Sequence, residues 1–133
     1  MVTKTEALVI GDVLVWEADR KYCVEEWLIE NAVASEVTFV VGVTLEPGTS
    51  ATTQKIPCGT AANADSILLE KVTVAASSNS SLASVLIRGP AVVNGDNLDY
   101  NSQTVATVDA ALLDELILVK TGPTYTADTA DLS

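Results

Sequence analysis

The stretch SLASVLIRGPAVVN, residues 81–94, decides how the chain is expected to fold. Its first part, Leu82–Arg88, is rich in aliphatic residues and predicts a strand. Gly89-Pro90 ends that strand, because proline has no amide hydrogen to donate within a sheet. Ala91–Val93 predicts a short extended continuation, and Asn94-Gly95 is a dipeptide typical of tight hairpin turns. The stretch therefore predicts β structure with a fixed break in the middle.

Similar apolar runs lie on both sides of this stretch. The alternation of large apolar and smaller residues is clearest over Glu36–Leu45, which is also rich in β-branched residues. Tyr22–Ile29 fits both a strand and a helix, and we favour the strand. The further predicted strands are Ala7–Ile10, Val13–Trp16, Tyr22–Ile29, Glu36–Leu45, Ile67–Val74, Leu98–Tyr100 (pairing back after the hairpin) and Leu116–Val119.

One helix is predicted, late in the chain. Val108, Leu112 and Leu116 recur at four-residue spacing and predict a short helix over 107–115. Two small, polar stretches, Ala51–Asp65 and Ala75–Ser81, are expected to be loops. The order of strands, one late helix and a final strand predicts a mainly β (α+β) domain rather than alternating βαβ units.

The size and charge of the chain limit the classes of function that it is expected to have. The chain has 133 residues, which favours one domain, and its net charge is −11 from 18 acidic and 7 basic residues. Such a chain is expected to repel nucleic acid and anionic membranes, because binding to phosphate requires cationic side chains. It contains no apolar run of the roughly 20 residues that a membrane span requires. Its first residues lack the features of a signal peptide, so we expect synthesis in a cytoplasm.

Residues suited to catalysis are scarce. There is no histidine, which removes the usual general base and most metal sites, and there is no phosphate-binding glycine motif. Glu25 and Glu26 are adjacent and would point to opposite faces of a strand, so they cannot converge on a substrate. Asp96 and Asp99 do not have the spacing of a calcium loop and are interpreted as turn residues. We expect no enzyme activity, no metal and no cofactor.

The two cysteines, Cys23 and Cys58, match no metal-binding or redox pattern. The sequence does not exclude a disulfide between them. Two buried free thiols are the favoured interpretation, because nothing else in the composition resembles a secreted disulfide scaffold.

Two segments carry a resemblance to a known family. SILLEKVTV at residues 66–74, followed by a Ser/Asn loop and then ASVLIRGPAVVN at residues 83–94, resembles the head decoration protein D family of tailed phages, the family of the lambda head decoration protein. The similarity extends over about residues 36–122 and is weaker upstream, at residues 38–49. The string LIRGPAVVN is its most specific part.

The resemblance implies a β-clip-like fold that forms a homotrimer. It implies trimers at three-fold or quasi-three-fold positions on the outer surface of the expanded phage head, where they stabilise the shell against the pressure of packaged DNA. The partner would be the major capsid protein, contacted by an N-terminal arm that adds a strand, and the location would be the virion. The predicted organisation is an arm at residues 1–21, a β-rich domain at 22–122 and a polar tail at 123–133.

Candidate contact residues follow from these expectations. The apolar segment Ala7, Leu8, Val9 and Ile10 is the candidate for capsid binding by strand addition, with an ordinary domain strand as the alternative. The candidates for the trimer interface are Leu86, Ile87, Arg88 and Pro90. For Leu86 and Ile87 the alternative is a place in the core, and for Arg88 it is an ion pair with a strand neighbour.

Three other functions remain open. A small β-rich module could bind carbohydrate or cell-surface ligands, although only six aromatic residues are available for stacking on sugars. An enzyme is disfavoured by the missing histidine. Another virion structural part, such as a tail or head–tail joining protein, would fit the same composition.

Overall fold

The chain folds as a mainly β domain, as predicted. The computed structural model describes residues 10–121. Within that range three helices are present: α1 Ile10–Val13, α2 Arg20–Cys23 and α3 Val105–Leu113. The strands in the same range are β1 Leu14–Glu17, β2 Val24–Asn31, β3 Val37–Phe39, β4 Thr44–Pro47, β5 Gln54–Pro57, β6 Ser66–Leu68, β7 Val72–Val74, β8 Ser78–Leu86, β9 Ala91–Asn94 and β10 Ile117–Lys120. No helix in the described range is long and apolar enough to cross a membrane.

The strands form one closed barrel and two small sheets. The barrel has the strand order β2-β5-β4-β6-β8, and β3 pairs with β7 in a two-stranded sheet. The third sheet has the order β1-β9-β10, with β1 antiparallel and β10 parallel to the central strand. Residues 81–94 therefore supply most of the barrel strand β8 and all of β9, the central strand of a separate sheet.

The core has two parts. One cluster joins the three-stranded sheet to α3 and to the outside of the barrel; its fully buried members include Val13, Val93, Leu112 and Ile117. The other cluster is built mainly from barrel strands and includes Ile29, Leu68 and Val85. Since burial of aliphatic side chains is the main favourable term in folding, these clusters hold the sheet and barrel together.

A partly buried ion pair lies next to the second cluster. Lys55 is 6% exposed, and its Nζ lies 2.9 Å from Oδ2 of Asp65. The same ammonium group lies 4.4 Å from the ring centroid of Trp27. A buried lysine requires such partners, because an unpaired charge in the protein interior is strongly disfavoured.

The predicted helix is confirmed within two residues. It runs over Val105–Leu113 rather than 107–115, and Val108 and Leu112 are fully buried. The predicted last strand and the strand of residues 13–16 are also found, as β10 and β1, each displaced by one residue. Tyr22–Ile29 is mostly strand, but Tyr22 and Cys23 belong to α2, whose start is capped by the side chain of Asp19.

Two long predicted strands are each divided in the structure. Glu36–Leu45 is split into β3 and β4 at Gly42, which has φ +103° and accepts a hydrogen bond from Asp99. Ile67–Val74 is split into β6 and β7, because Leu68 and Leu69 are both buried and break the alternation of faces. The strands β3 and β7 form the two-stranded sheet, whereas β4 and β6 belong to the barrel. Each division therefore lies where the chain passes between the two sheets.

The two predicted loops contain strand residues. Ala51–Asp65 includes β5 and a 3-10 turn at Ala61–Asn63, and Ala75–Ser81 includes the start of β8. The polar residues Ser78 and Asn79 pair with Asn31 and Glu30 of β2. At these positions the strand forms because β2 offers backbone hydrogen-bond partners, and not because the side chains are apolar.

The predicted hairpin after β9 is wrong. Gly95–Asn97 forms a 3-10 turn, and the side chain of Asn94 accepts from the Asp96 amide at 3.0 Å. Leu98–Tyr100 does not pair back on β9, and Asp99 instead forms an isolated bridge with Val43. The amide of Asn101 donates to Oδ1 of Asp99, which fits the interpretation of these aspartates as turn residues.

The termini are described only in part. The predicted strand Ala7–Ile10 is not formed at Ile10, which begins α1; Ala7, Leu8 and Val9 lie outside the described residues. The described end of the predicted arm is built into the fold, since Val13 is fully buried and β1 pairs with β9. The predicted tail at residues 123–133 lies outside the described range.

Gly89 is a position where the fold requires glycine. A Cβ atom added there would lie 1.7 Å from the carbonyl oxygen of Leu116, which is backbone and cannot move aside cheaply. At Gly59, by contrast, an added Cβ would meet no atom within 4 Å.

We predict that Gly89→Ala lowers the free energy of unfolding by about 3 kcal/mol or more, because relieving the overlap requires movement of packed backbone. The matched Gly59→Ala substitution should change it by less than about 1 kcal/mol. Urea unfolding of both variants measures the difference. Equal stability of the two variants would contradict the structure around Gly89.

Candidate functional site

The outer side of the three-stranded sheet carries a row of apolar side chains. The registers of the two strand pairs place Trp16 opposite Val92 and Leu118 opposite the same Val92. The neighbouring residues Ala91 and Ile117 are buried, so the row formed by Trp16, Val92 and Leu118 points away from the core. Trp16 is 53% exposed and Leu118 is 40% exposed, while Val92 is partly covered.

Two further exposed residues continue this row. Pro90 and Leu116 lie two positions before Val92 and Leu118, and both are exposed. A hydrogen bond from the Ala91 amide to the Leu116 carbonyl keeps these two segments adjacent at 3.2 Å. We call the set Trp16, Pro90, Val92, Leu116 and Leu118 the apolar face. Exposed apolar residues that are contiguous, rather than scattered, mark contact sites for other molecules.

Leu116 has an unusual backbone conformation. Its φ is +63°, in the left-handed region that glycine normally occupies after a helix. A residue with a Cβ atom costs about 1 kcal/mol or more there. The side chain is also 58% exposed, so burial within the chain offsets little of this cost. The conformation is held in place because the carbonyl groups of Glu115 and Leu116 accept hydrogen bonds from Gly89 and Ala91.

The charges around the apolar face are arranged at its two ends. Asp114 and Glu115, both exposed, directly precede Leu116, and the exposed Lys120 ends β10 on the other side. At the edge of β1, Nε of Arg20 lies 2.7 Å from Oε2 of Glu17. None of the five residues of the face is charged, so the face is an uncharged surface between acidic and basic groups on a strongly acidic chain.

Two of the residues predicted for a subunit interface are core residues. Leu86 is fully buried between its strand partners Val24 and Ile67. Ile87 is also buried and belongs to the barrel cluster. Their side chains are enclosed by their own chain and offer no surface to a neighbouring subunit, so for both the core interpretation is correct.

The other two predicted interface residues are more accessible. Arg88 makes local contacts: its Nη2 lies 3.2 Å from Oε2 of Glu25, it donates to the carbonyl of Tyr22, and it lies over the Tyr22 ring. The contact with Glu25 agrees with the alternative interpretation of Arg88, a local ion pair. Pro90 is exposed and belongs to the apolar face.

The candidate capsid-binding segment ends beside the apolar face. Of its four residues, Ile10 is partly buried against the core, and the other three lie outside the described residues. Ile10 also lines a groove of about 310 Å³ together with Leu14, Val15 and Trp16. The segment therefore leads into the strand that carries Trp16.

The structure gives no sign of reactive side chains in the described range. Both cysteines are free and buried, as predicted. Burial, and then the nearby Glu46 carboxylate, raise the pKa of Cys58 to about 11. Burial and a 2.8 Å hydrogen bond to Asp109 raise the pKa of Tyr100 well above its usual range. Both groups are therefore protonated at neutral pH. No three acidic, Cys or His side chains within residues 10–121 form a potential metal site.

No family model, curated protein or solved structure matches this chain. The resemblance to phage head decoration proteins therefore rests on the sequence strings at residues 66–74 and 83–94.

We predict a pH dependence of stability from Cys58. Its pKa is about 11 in the folded chain against an ordinary value of 9.0, so between these values the unfolded chain loses a proton that the folded chain keeps. The free energy of unfolding should therefore fall as pH rises from about 9 to about 11. Urea unfolding across this range should give a shallower fall for Cys58→Ala, which lacks the thiol; identical pH profiles would contradict the prediction.

Proposed function

We propose that this chain is a capsid decoration protein. In this proposal it forms a homotrimer with a β-clip-like fold, binds the outer surface of an expanded phage head at three-fold or quasi-three-fold sites, and stabilises the shell against the pressure of packaged DNA. The observation that carries the proposal is the exposed apolar face, held on a small, acidic, mainly β domain.

The apolar face favours a protein partner. It is formed by neighbouring strands and is therefore rigid before binding, which reduces the entropy lost on association. Four of its five side chains are exposed, whereas a site for a small molecule usually encloses most of its ligand. A contiguous group of exposed apolar side chains is typical of contacts with other proteins.

The family resemblance gains a physical explanation at its most specific string. Arg88, in the connection between β8 and β9, contacts Glu25 of β2 and Tyr22 of α2, and Gly89 permits the close approach of the Leu116 carbonyl. Ala91 and Val93 are buried in the core beneath the apolar face. The residues of this string therefore have separate structural roles in this chain.

The side-chain chemistry supports a role without catalysis. The thiol of Cys58 and the phenol of Tyr100 hold their protons at neutral pH, so neither is an activated nucleophile or base. The chain has no histidine, and its net charge of −11 disfavours nucleic acid as a partner.

A decoration protein acts through binding free energy. Three copies in one trimer offer three contacts at once, so that the overall affinity exceeds that of a single weak site. A protein that binds only the assembled shell stabilises the shell by mass action. The residues before α1, Ala7, Leu8 and Val9, are the proposed contact with the major capsid protein, since an extended peptide can add to the edge of a sheet.

We predict that the protein cosediments with expanded heads of its own phage prepared without it. Leu8→Asp should weaken this binding at least tenfold, because it places a charge in the proposed strand-adding segment. Val33→Asp is the matched control, since Val33 is 55% exposed in the turn after β2. Failure of the wild-type chain to bind expanded heads would contradict the proposed function, and equal loss in both variants would contradict the role of the segment.

A further inference from the structure

We infer that the apolar face is the contact between copies of this chain, with Leu116 as its anchor and with Lys120 of one copy facing Asp114 and Glu115 of the next. This inference rests on the proposed function, because it names the surface through which the proposed homotrimer forms. It replaces Leu86 and Ile87, which are buried in the core, as the candidate interface.

Leu116 identifies the face as a surface that is covered in the working protein. A left-handed turn after α3 would form more readily with glycine, and an exposed position would be better hydrated with a polar side chain. The chain has a leucine there, next to the exposed Leu118 and Pro90. The left-handed backbone and the exposed apolar side chain of Leu116 are both disfavoured in the isolated chain. Contact with a partner would bury this side chain.

The charge distribution selects a second copy as the partner. A chain with net charge −11 repels its own copies over most of its surface. The apolar face carries no charged residue, so like-charged chains can approach each other there with the least repulsion.

The ends of the face are complementary to each other. Asp114 and Glu115 lie before β10 and Lys120 lies at its end, separated by the length of the strand, about 15 Å. When copies meet head to tail, the basic end of one face lies beside the acidic end of the next. In a ring of three copies, each copy offers the basic end of its face to one neighbour and the acidic end to the other, so every contact joins two different surfaces and the ring closes as the proposed trimer.

Light scattering of the full chain over a range of concentrations tests the inference. The wild-type chain should have the mass of three copies. Leu118→Thr and Leu116→Gly should each weaken association at least tenfold, while circular dichroism shows that both remain folded. Leu82→Thr is the matched control: Leu82 is 56% exposed in a strand outside the apolar face, and its substitution should leave association unchanged. Association that persists in both face variants, or that is lost in the control, would overturn the inference.

Charge reversal tests the head-to-tail arrangement. Lys120→Glu and Glu115→Lys should each weaken association, because each places like charges together across the contact. The double variant should recover most of the loss, since it restores opposite charges in exchanged positions. If the double variant is weaker than either single variant, the two ends do not meet.

The outcomes separate this inference from the proposed function. A wild-type chain that stays monomeric but binds expanded heads would overturn the inference and the proposed homotrimer, but not the binding to the head. A chain that associates through the apolar face but ignores expanded heads would support the inference and contradict decoration.

Discussion

The close contact between the Gly89 backbone and the turn at Glu115–Leu116 is the constraint on which the rest of the structure depends. The amide of Gly89 donates to the Glu115 carbonyl at 2.7 Å, and the amide of Ala91 donates to the Leu116 carbonyl at 3.2 Å. These bonds join the connection between β8 and β9 to the connection between α3 and β10. They set β10 parallel to β9, and so place Leu118 beside Val92 in the apolar face. A side chain at position 89 would separate the two segments.

Elements defined by local patterns could be predicted from the sequence. The strands β9 and β10 and the helix α3 lie within two residues of their predicted bounds, and the apolar part of β8 was also predicted as a strand. Other elements depend on distant partners. The strand β5 lies in a polar stretch and pairs with β2 and β4, and the division between β3 and β4 depends on the backbone of Gly42 packing against Asn97. Such pairings join residues far apart in sequence, so local patterns do not reveal them.

The candidate site shows the same limit. Alternation indicated that Leu86 lies in a strand, but not that the successive residues Val85 and Leu86 at the end of that strand are both buried by the chain itself. The apolar face was missed because its members come from three segments, and only the registers of β1 and β10 on β9 bring Trp16 and Leu118 together. Pro90, which the structure leaves exposed, was predicted for an interface from its segment, and that role stays a prediction. The positive φ of Leu116 has no signal in the sequence.

Our proposals assign this protein a role in protein–protein contact, with its apolar face covered by protein in the assembled state. The most direct test is acrylamide quenching of Trp16 fluorescence in a Trp27→Phe variant, compared between dilute chain, concentrated chain and chain bound to expanded heads. Our account predicts that quenching decreases when the chain associates, because Trp16, which is 53% exposed in the isolated chain, becomes covered. Equal quenching in all three states would contradict it.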